Sequence, residues 1–284
     1  MRPLVSPANI AALPVTRIRP PSGWTSLNHR ELWNYRELLY FLVWRDIKVR
    51  YRQTALGATW AIVQPFLTMA VFSVFFGALV GVPSDGVPYP VFAYVALVPW
   101  MYFAAALTQA STSLVDHSRL VTKVYFPRVL VPAAAVAAGL VDLAIAFLVL
   151  AGMLLYYGIV PTAAVLTLPF LVILTSAAAL GASLWLAALN ARYRDVRHLM
   201  PFLIQLWLFL TPVAYPSSVV PDRWRPVYAM NPMAGIIEGF RWALVGSGER
   251  PGVPLAVSVA VILTVLVGGL FYFRRTERSF VDVL

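Results

Sequence analysis

From the amino end onward, the chain sets long apolar stretches against short polar ones, at lengths suited to crossing a membrane. A spanning helix needs about 20 mostly apolar residues, because each residue advances about 1.5 Å across a hydrocarbon core of about 30 Å. Stretches of that kind run over residues 56–82, 91–113, 129–157, 165–190, 199–215 and 254–273. The first carries no charge, and its Gln64-Pro65 pair predicts a kink whose freed carbonyl is satisfied by a neighbouring helix. The third contains Asp142, and the breaker run 158–161 joins it to the fourth as a tight hairpin. The fifth is short and holds Pro201 and Pro212, so it is expected to be broken or to reach only part of the way. The expected fold is an all-α integral membrane protein with six transmembrane helices and no soluble domain.

Two regions fall outside that pattern. Residues 30–53 have an apolar centre of seven residues, 38–44, about 10 Å long as a helix and too short to cross. We expect an N-terminal amphipathic interfacial helix there, although its apolar positions run almost all the way round, which suggests contact with protein as well as lipid. Residues 1–29 before it lack a compact apolar core followed by small residues and are expected to form a tail, with the six-helix domain occupying 54–284. The second region is 216–250, where 220–230 and 232–245 read as two short external helices broken at Asn231-Pro232.

Charge orients this plan. Of the 22 Lys and Arg residues, all but Arg223, Arg225, Arg241 and Arg250 fall in the N-terminal segment, the loops after spans two and four, or the C-terminus. Short cytoplasmic segments collect Lys and Arg. The four exceptions lie between spans five and six, where Asp222, Glu238 and Glu249 nearly balance them. Both termini are therefore expected in the cytoplasm.

Composition narrows the function classes. Of 284 residues 60% are hydrophobic and 12% charged, against about 25% charged in ordinary globular domains. The net charge of +10 follows the membrane pattern rather than pointing to nucleic acid, and none is expected as a partner. There is no cysteine and only three histidines, so neither a disulfide framework nor a metal cluster is expected. No GxxxxGK[ST] occurs, so ATP coupling would have to come from a partner chain. HExxH, GxSxG and paired-carboxylate signatures are absent too, and Asp46, Asp116 and Asp195 stand singly among basic residues, a poor basis for a membrane glycosyltransferase.

Two features bear chemistry. Asp142 is the one ionisable residue well inside a predicted span, and an intramembrane carboxylate costs on the order of 3 kcal/mol unless paired, hydrated or protonated. A proton-coupled carrier would use it as a relay; a helix-packing or water-facing role is preferred, with Asp142→Asn expected to export normally. The loop 116–128 reads DHSRLVTKVYFPR and predicts a short exposed helix. Its Leu120, Val121, Val124, Tyr125 and Phe126 suit a docking helix better than a plain charged anchor.

Four motifs add a resemblance. RDIKVRYRQTALG at 45–57 with Trp60 and Gln64-Pro65, KVYFPR at 123–128, NARYRDV at 190–196 and NPMAGIIEGFRWAL at 231–244 stand in register. From about Trp33 to the C-terminus the chain resembles the permease subunit of type-2 ABC exporters for bacterial polysaccharides, a family that moves O-antigen, capsule or teichoic acid chains. Drug and lipid exporters lie in the same superfamily. The resemblance implies a multi-pass protein of the bacterial cytoplasmic membrane that pairs with a second copy of itself. It also implies two ATP-binding cassette subunits that hold the ATP and Mg, and an undecaprenyl-linked polysaccharide as cargo. No cofactor is expected in the chain itself.

It implies site residues as well. Asp46 and Arg50 on the interfacial helix, Arg119, Leu120, Lys123, Val124, Tyr125, Phe126 and Arg128 on a coupling helix, and Arg194 with Asp195 in the next basic loop would meet the ATPase. Trp224, Asn231, Pro232, Glu238 and Arg241 would belong to an external gate. A glycan offers apolar C–H faces that stack on aromatic rings, so Trp60 and Phe72 of the first span and Trp207 and Tyr215 of the fifth are candidates for the substrate path.

Overall fold

The computed structural model describes residues 33–52, 59–247, 252–277 and 280. The expected tail 1–29 lies outside the described residues, as do both ends of the 30–53 segment and Arg250. Helix α1 (Arg36–Arg52) is followed by α2 (Thr59–Phe72), which continues as a π-helix over Ser73–Leu79. Pro65 lies inside α2 and is buried. The π turn brings Gly77 against the Tyr89 ring so closely that an added Cβ would sit 2.9 Å from it. A side chain there would push the end of α2 off the next helix.

That next helix, α3 (Tyr89–Asp116), forms the centre of the molecule. Val91 to Val98 are at most 2% exposed, and α3 packs against α2, against α5 (Leu130–Tyr156), α6 (Leu168–Arg192), α7 (Val196–Phe209) and α9 (Pro232–Val245). The short α4 (Ser118–Lys123) follows it directly. The last helix, α10 (Val253–Thr276), crosses α6 at backbone contact: a Cβ on Gly269 would lie 2.7 Å from the Gly181 carbonyl oxygen, and one on Gly181 would lie 2.9 Å from Leu266 Cα. Small residues at such a crossing let two backbones approach where lipid offers no hydrophobic drive for association.

Among the described residues, five helices are long and apolar enough to cross a membrane: α2 with its π extension, α3, α5, α6 with the 3-10 turn Ala163–Thr167 before it, and α10. They match five of the six expected spans. The remaining expected span, at 199–215, is α7, whose 14 residues rise only about 21 Å. Past Phe209 the chain leaves the helix and buries Thr211, Pro212, Val213, Ala214 and Pro216 as an irregular segment.

The two short helices beyond it differ from expectation in kind. The first is reduced to 3-10 turns at Ser217–Val219 and Asp222–Trp224 and the five-residue α8 (Arg225–Ala229). The second, α9, begins at an Asn231 cap that accepts from the Met233 N–H at 3.1 Å and ends at Gly246 with φ of 66°, the left-handed stop that glycine adopts freely. It is not an outer lid. Met233 to Ile237, Gly239 to Arg241, Ala243 and Leu244 are all buried, and α9 is sunk among α3, α6 and α10.

Candidate functional site

Two ends of the bundle gather the residues that sequence singled out. At the basic end, Leu42 of α1, Val121 of α4, Phe126, Leu130, Leu184, Ala191, Phe273 and Phe280 form one apolar cluster, separate from the larger cluster around α3. Asn190 Nδ2 donates to the Ser111 carbonyl at 3.1 Å, and Arg197 lies 3.7 Å from Asp116, so the α6–α7 junction is tied to the end of α3.

On this platform α4 turns its two sides differently. Val121 is buried and Leu120 half-buried, whereas Arg119 and Lys123 are exposed. The helix stops at Lys123, short of the expected reach to residue 128, because Val124 is extended with ψ of 134°. Tyr125 next to it is 62% exposed, whereas Phe126 is 3% exposed. Phe126 was expected on the docking face; it is instead an anchor in the apolar cluster. Arg128 is likewise turned inward. Its N–H donates to Glu277 Oε1 at 2.9 Å and its guanidinium to the Glu277 carbonyl, which joins the start of α5 to the end of α10. Arg194 and Asp195 are exposed at the α6–α7 junction.

The helix α1 is not a flat surface helix. Leu42 is its one buried side chain, while Trp33, Tyr40, Phe41, Trp44 and Val49 are exposed. Arg45 donates to Asp46 at 2.8 Å and to His117 Nε2 at 2.7 Å. Since arginine only donates, Nε2 is the acceptor and Nδ1 carries the proton that meets the Ser113 carbonyl at 2.8 Å. Asp46, expected to face a partner, is thus paired within its own helix. Further along, Arg50 donates to Asp142 Oδ2 and Gln109 Oε1, and the Tyr51 hydroxyl donates to Asp142 Oδ1. Asp142, which reads in sequence as an isolated charge, has both oxygens engaged. Arg50, expected to meet an ATPase, points into the bundle.

At the opposite end Asn231 is the junction. Its Oδ1 accepts from Trp207 Nε1 at 3.0 Å as well as from Met233 N, and its Nδ2 donates to the Leu210 carbonyl at 3.1 Å and Thr211 Oγ1 at 2.9 Å. One side chain thereby caps α9 and holds the end of α7. Pro232 opens α9, where its missing N–H costs nothing. Arg241, one turn from the end of α9, is 1% exposed. Its guanidinium lies 3.6 Å over the Phe92 ring, pairs with Glu238 at 3.1 Å, and donates to the Val213 and Tyr215 carbonyls at 3.0 and 3.4 Å. Tyr228 reaches the Tyr215 hydroxyl at 3.4 Å; burial first, and this neighbour next, push its phenol well above the ordinary range. Trp224 is exposed beneath Arg223.

The four aromatic candidates do not gather. Trp60 is exposed on α2, and Phe72 sets its ring edge-on to Phe76 at 5.3 Å. Trp207 packs edge-on against Phe103 at 5.1 Å, and the Tyr215 hydroxyl donates to the Phe209 carbonyl. Among the described residues no ring pair joins the α2 aromatics to Trp207 or Tyr215. Among them, too, no three His, Cys, Asp or Glu come together as a metal cluster would require.

Sequence reasoning missed Gln109, Tyr51, His117, Phe92 and Val213. The signal for Asp142 was present as a charge in an apolar run, and Arg50 stood out only as one of several cations in the 45–52 segment. They are 92 residues apart, and no periodicity relates them.

Among the described residues, five membrane-length helices with the shorter α7 and the buried α9 define an all-helical membrane protein. The profile of the ABC-2 type transporter family matches residues 37–245, and the chain belongs to that family. It is similar to the O-antigen export system permease protein of Myxococcus xanthus, 31% identical over 253 residues covering 87% of this chain and 96% of that protein. A Klebsiella pneumoniae protein of the same description is 26% identical over 250 residues, 87% of this chain and 95% of its own. The polysialic acid transport protein of Escherichia coli is 22% identical over 240 residues, 83% and 92% of the two chains.

Proposed function

We propose that this chain is the permease subunit of an ATP-driven exporter that moves a lipid-linked polysaccharide, O-antigen before capsule or teichoic acid, across the bacterial cytoplasmic membrane. The observation that carries the reading is the likeness to an O-antigen export permease over 87% of this chain and 96% of that protein. The basic end is the cytoplasmic one, in keeping with the distribution of Lys and Arg. ATP is hydrolysed by two partner subunits, and a second copy of the chain completes the channel.

The docking surface is reduced from the sequence-based set to what α4 and the next loop present outward: Arg119, Lys123, Val124, Tyr125, Arg194 and Asp195. Phe126 and Arg128 support it from behind. An exposed apolar pair just past a short, well-anchored helix that carries two cations suits insertion into a groove of a partner. Transport itself needs no acid, base or nucleophile from this chain; it needs a path that alternately seals, and α7 with α9 forms the jointed element nearest the opposite end. The undecaprenyl carrier and the gate role of Trp224, Asn231, Pro232, Glu238 and Arg241 belong to the same proposal. The substrate path through Trp60, Phe72, Trp207 and Tyr215 now rests on the exposed Trp60 more than on Trp207, whose indole N–H is occupied.

A strain lacking the gene is the test. Polymer should accumulate in the cytoplasm and disappear from the cell surface, and the wild-type chain together with its ATPase should restore it. Normal surface polymer in the deletion strain, with loss of a drug or lipid export phenotype instead, would replace this reading with that of another exporter.

A further inference from the structure

The group of polar side chains under α1 is the strongest feature that the reading above leaves unused. Asp142 is the thirteenth of 27 residues in α5, at the middle of a helix about 40 Å long. Gln109 on α3 is eight residues before His117, about 12 Å along the helix. So α1, which meets His117 through Arg45, climbs into the bundle and delivers Arg50 and Tyr51 at mid-helix depth. Its hydrophobic hold is confined to the N-terminal half, where Leu42 is buried and Leu38, Leu39 and Val43 pack against the basic-end cluster, whereas Val49 beside Arg50 is exposed. The C-terminal turn of α1 is therefore held mainly by charge and hydrogen bonds.

We infer that Arg50, Tyr51, Gln109 and Asp142 form a latch that fixes the C-terminal turn of α1 to the α3 and α5 pair, with Asp142 as a positioning residue. Each oxygen of the carboxylate accepts a donor from α1, and the Arg50 fork is shared with Gln109. A carboxylate at this depth needs a compensating cation, and the cation needs it equally. Removing either partner strands the other. The Arg50 and Asp142 side chains retain 23% and 29% exposure, so the latch lies at the edge of the bundle, where α1 can swing away. In transport, and here the inference rests on the export reading above, the latch makes α1 shift together with α5 rather than float on the membrane surface.

The chain has no cysteine, so two introduced ones are the only labelling sites. Spin labels at Lys48→Cys on α1 and Leu148→Cys on α5, both exposed positions, report the α1 to α5 distance in the full chain in lipid nanodiscs. The parent should give one narrow distance. Asp142→Leu and Asp142→Asn should each lower the ratio of docked to undocked populations on the order of tenfold. Asp142→Glu, and the exchange Arg50→Asp with Asp142→Arg, should return it toward the parent value. If Asp142→Leu does not fold, the double change Arg50→Leu with Asp142→Leu strands no charge and should fold with α1 undocked. An unaltered distance in both Asp142→Asn and that double variant overturns the latch. The measurement needs neither ATPase nor cargo, so loss of the export reading would leave its outcome standing.

Discussion

The two short helices that flank the spanning bundle, α1 at the basic end and α9 at the opposite end, are attached by different physics. In α9 nearly every side chain from Met233 to Leu244 is buried, and its two polar fasteners, Asn231 and Arg241, bond to the adjoining 210–215 segment. In α1 the apolar hold, Leu42 with Leu38, Leu39 and Val43, lies in the N-terminal half, and the C-terminal turn is attached by an ionic, partly exposed group. Burial of apolar area is non-directional and resists small displacement, while an ion pair between two elements holds in one geometry and releases when either partner is neutralised. The helix α9 and the end of α7 therefore form one packed joint, and α1 is a hinged strut.

The largest break in this comparison should come from Arg241→Ala. It removes the cation over Phe92, leaves Glu238 without its partner and frees the Val213 carbonyl, a type of change that costs about 3–5 kcal/mol. Little folded protein should survive extraction, and what does should unfold early in a thermal scan. Phe126→Ala comes next, at about 3 kcal/mol, since it empties an anchor of the smaller apolar cluster. Thermal stability of the detergent-solubilised chain should fall with it. Asn231→Ala should cost roughly 1–2 kcal/mol, mostly through the lost cap, and Asn231→Asp, which keeps the acceptor for Met233 and Trp207, should recover part of that. Full stability in Asn231→Ala would mean that α9 does not depend on the joint.

Tyr125→Ala sharpens the comparison from the other side. At 62% exposure its stability effect should stay within about 0.5 kcal/mol, while stimulation of the partner ATPase should drop severalfold. Should stability fall and stimulation persist, Tyr125 belongs to the support and not to the docking surface.

Some of these residues were legible early and others were not. The exposed Val124 and Tyr125 were singled out together with Phe126, because apolar residues in a charged loop need a use. Which of the three faces inward depended on the chain leaving the helix at Val124, and no spacing rule carries that. Asp142 was conspicuous by the cost of a charge in an apolar run, and its partner was already noted on other grounds. Nothing local could join them. The expectation that Asp142→Asn is harmless followed from its apparent isolation and is replaced by the latch prediction.

What the sequence by itself determined is the set of elements. Apolar length against a fixed membrane thickness specifies five spans and their ends within a few residues, and the same arithmetic leaves 199–215 in doubt because of its prolines. The uneven placement of Lys and Arg supplies an expected orientation. These are one-dimensional quantities, additive along the chain. Tertiary structure alone decided which span is central, because α3 is no more apolar in composition than its neighbours and is buried by having neighbours on all sides. It alone decided that α9 sinks among α3, α6 and α10 rather than lying outside them, and that α1 is pinned at Asp142. Both depend on contacts between residues far apart in the chain, and such contacts arise only when helices of independent periodicity are brought into register in three dimensions.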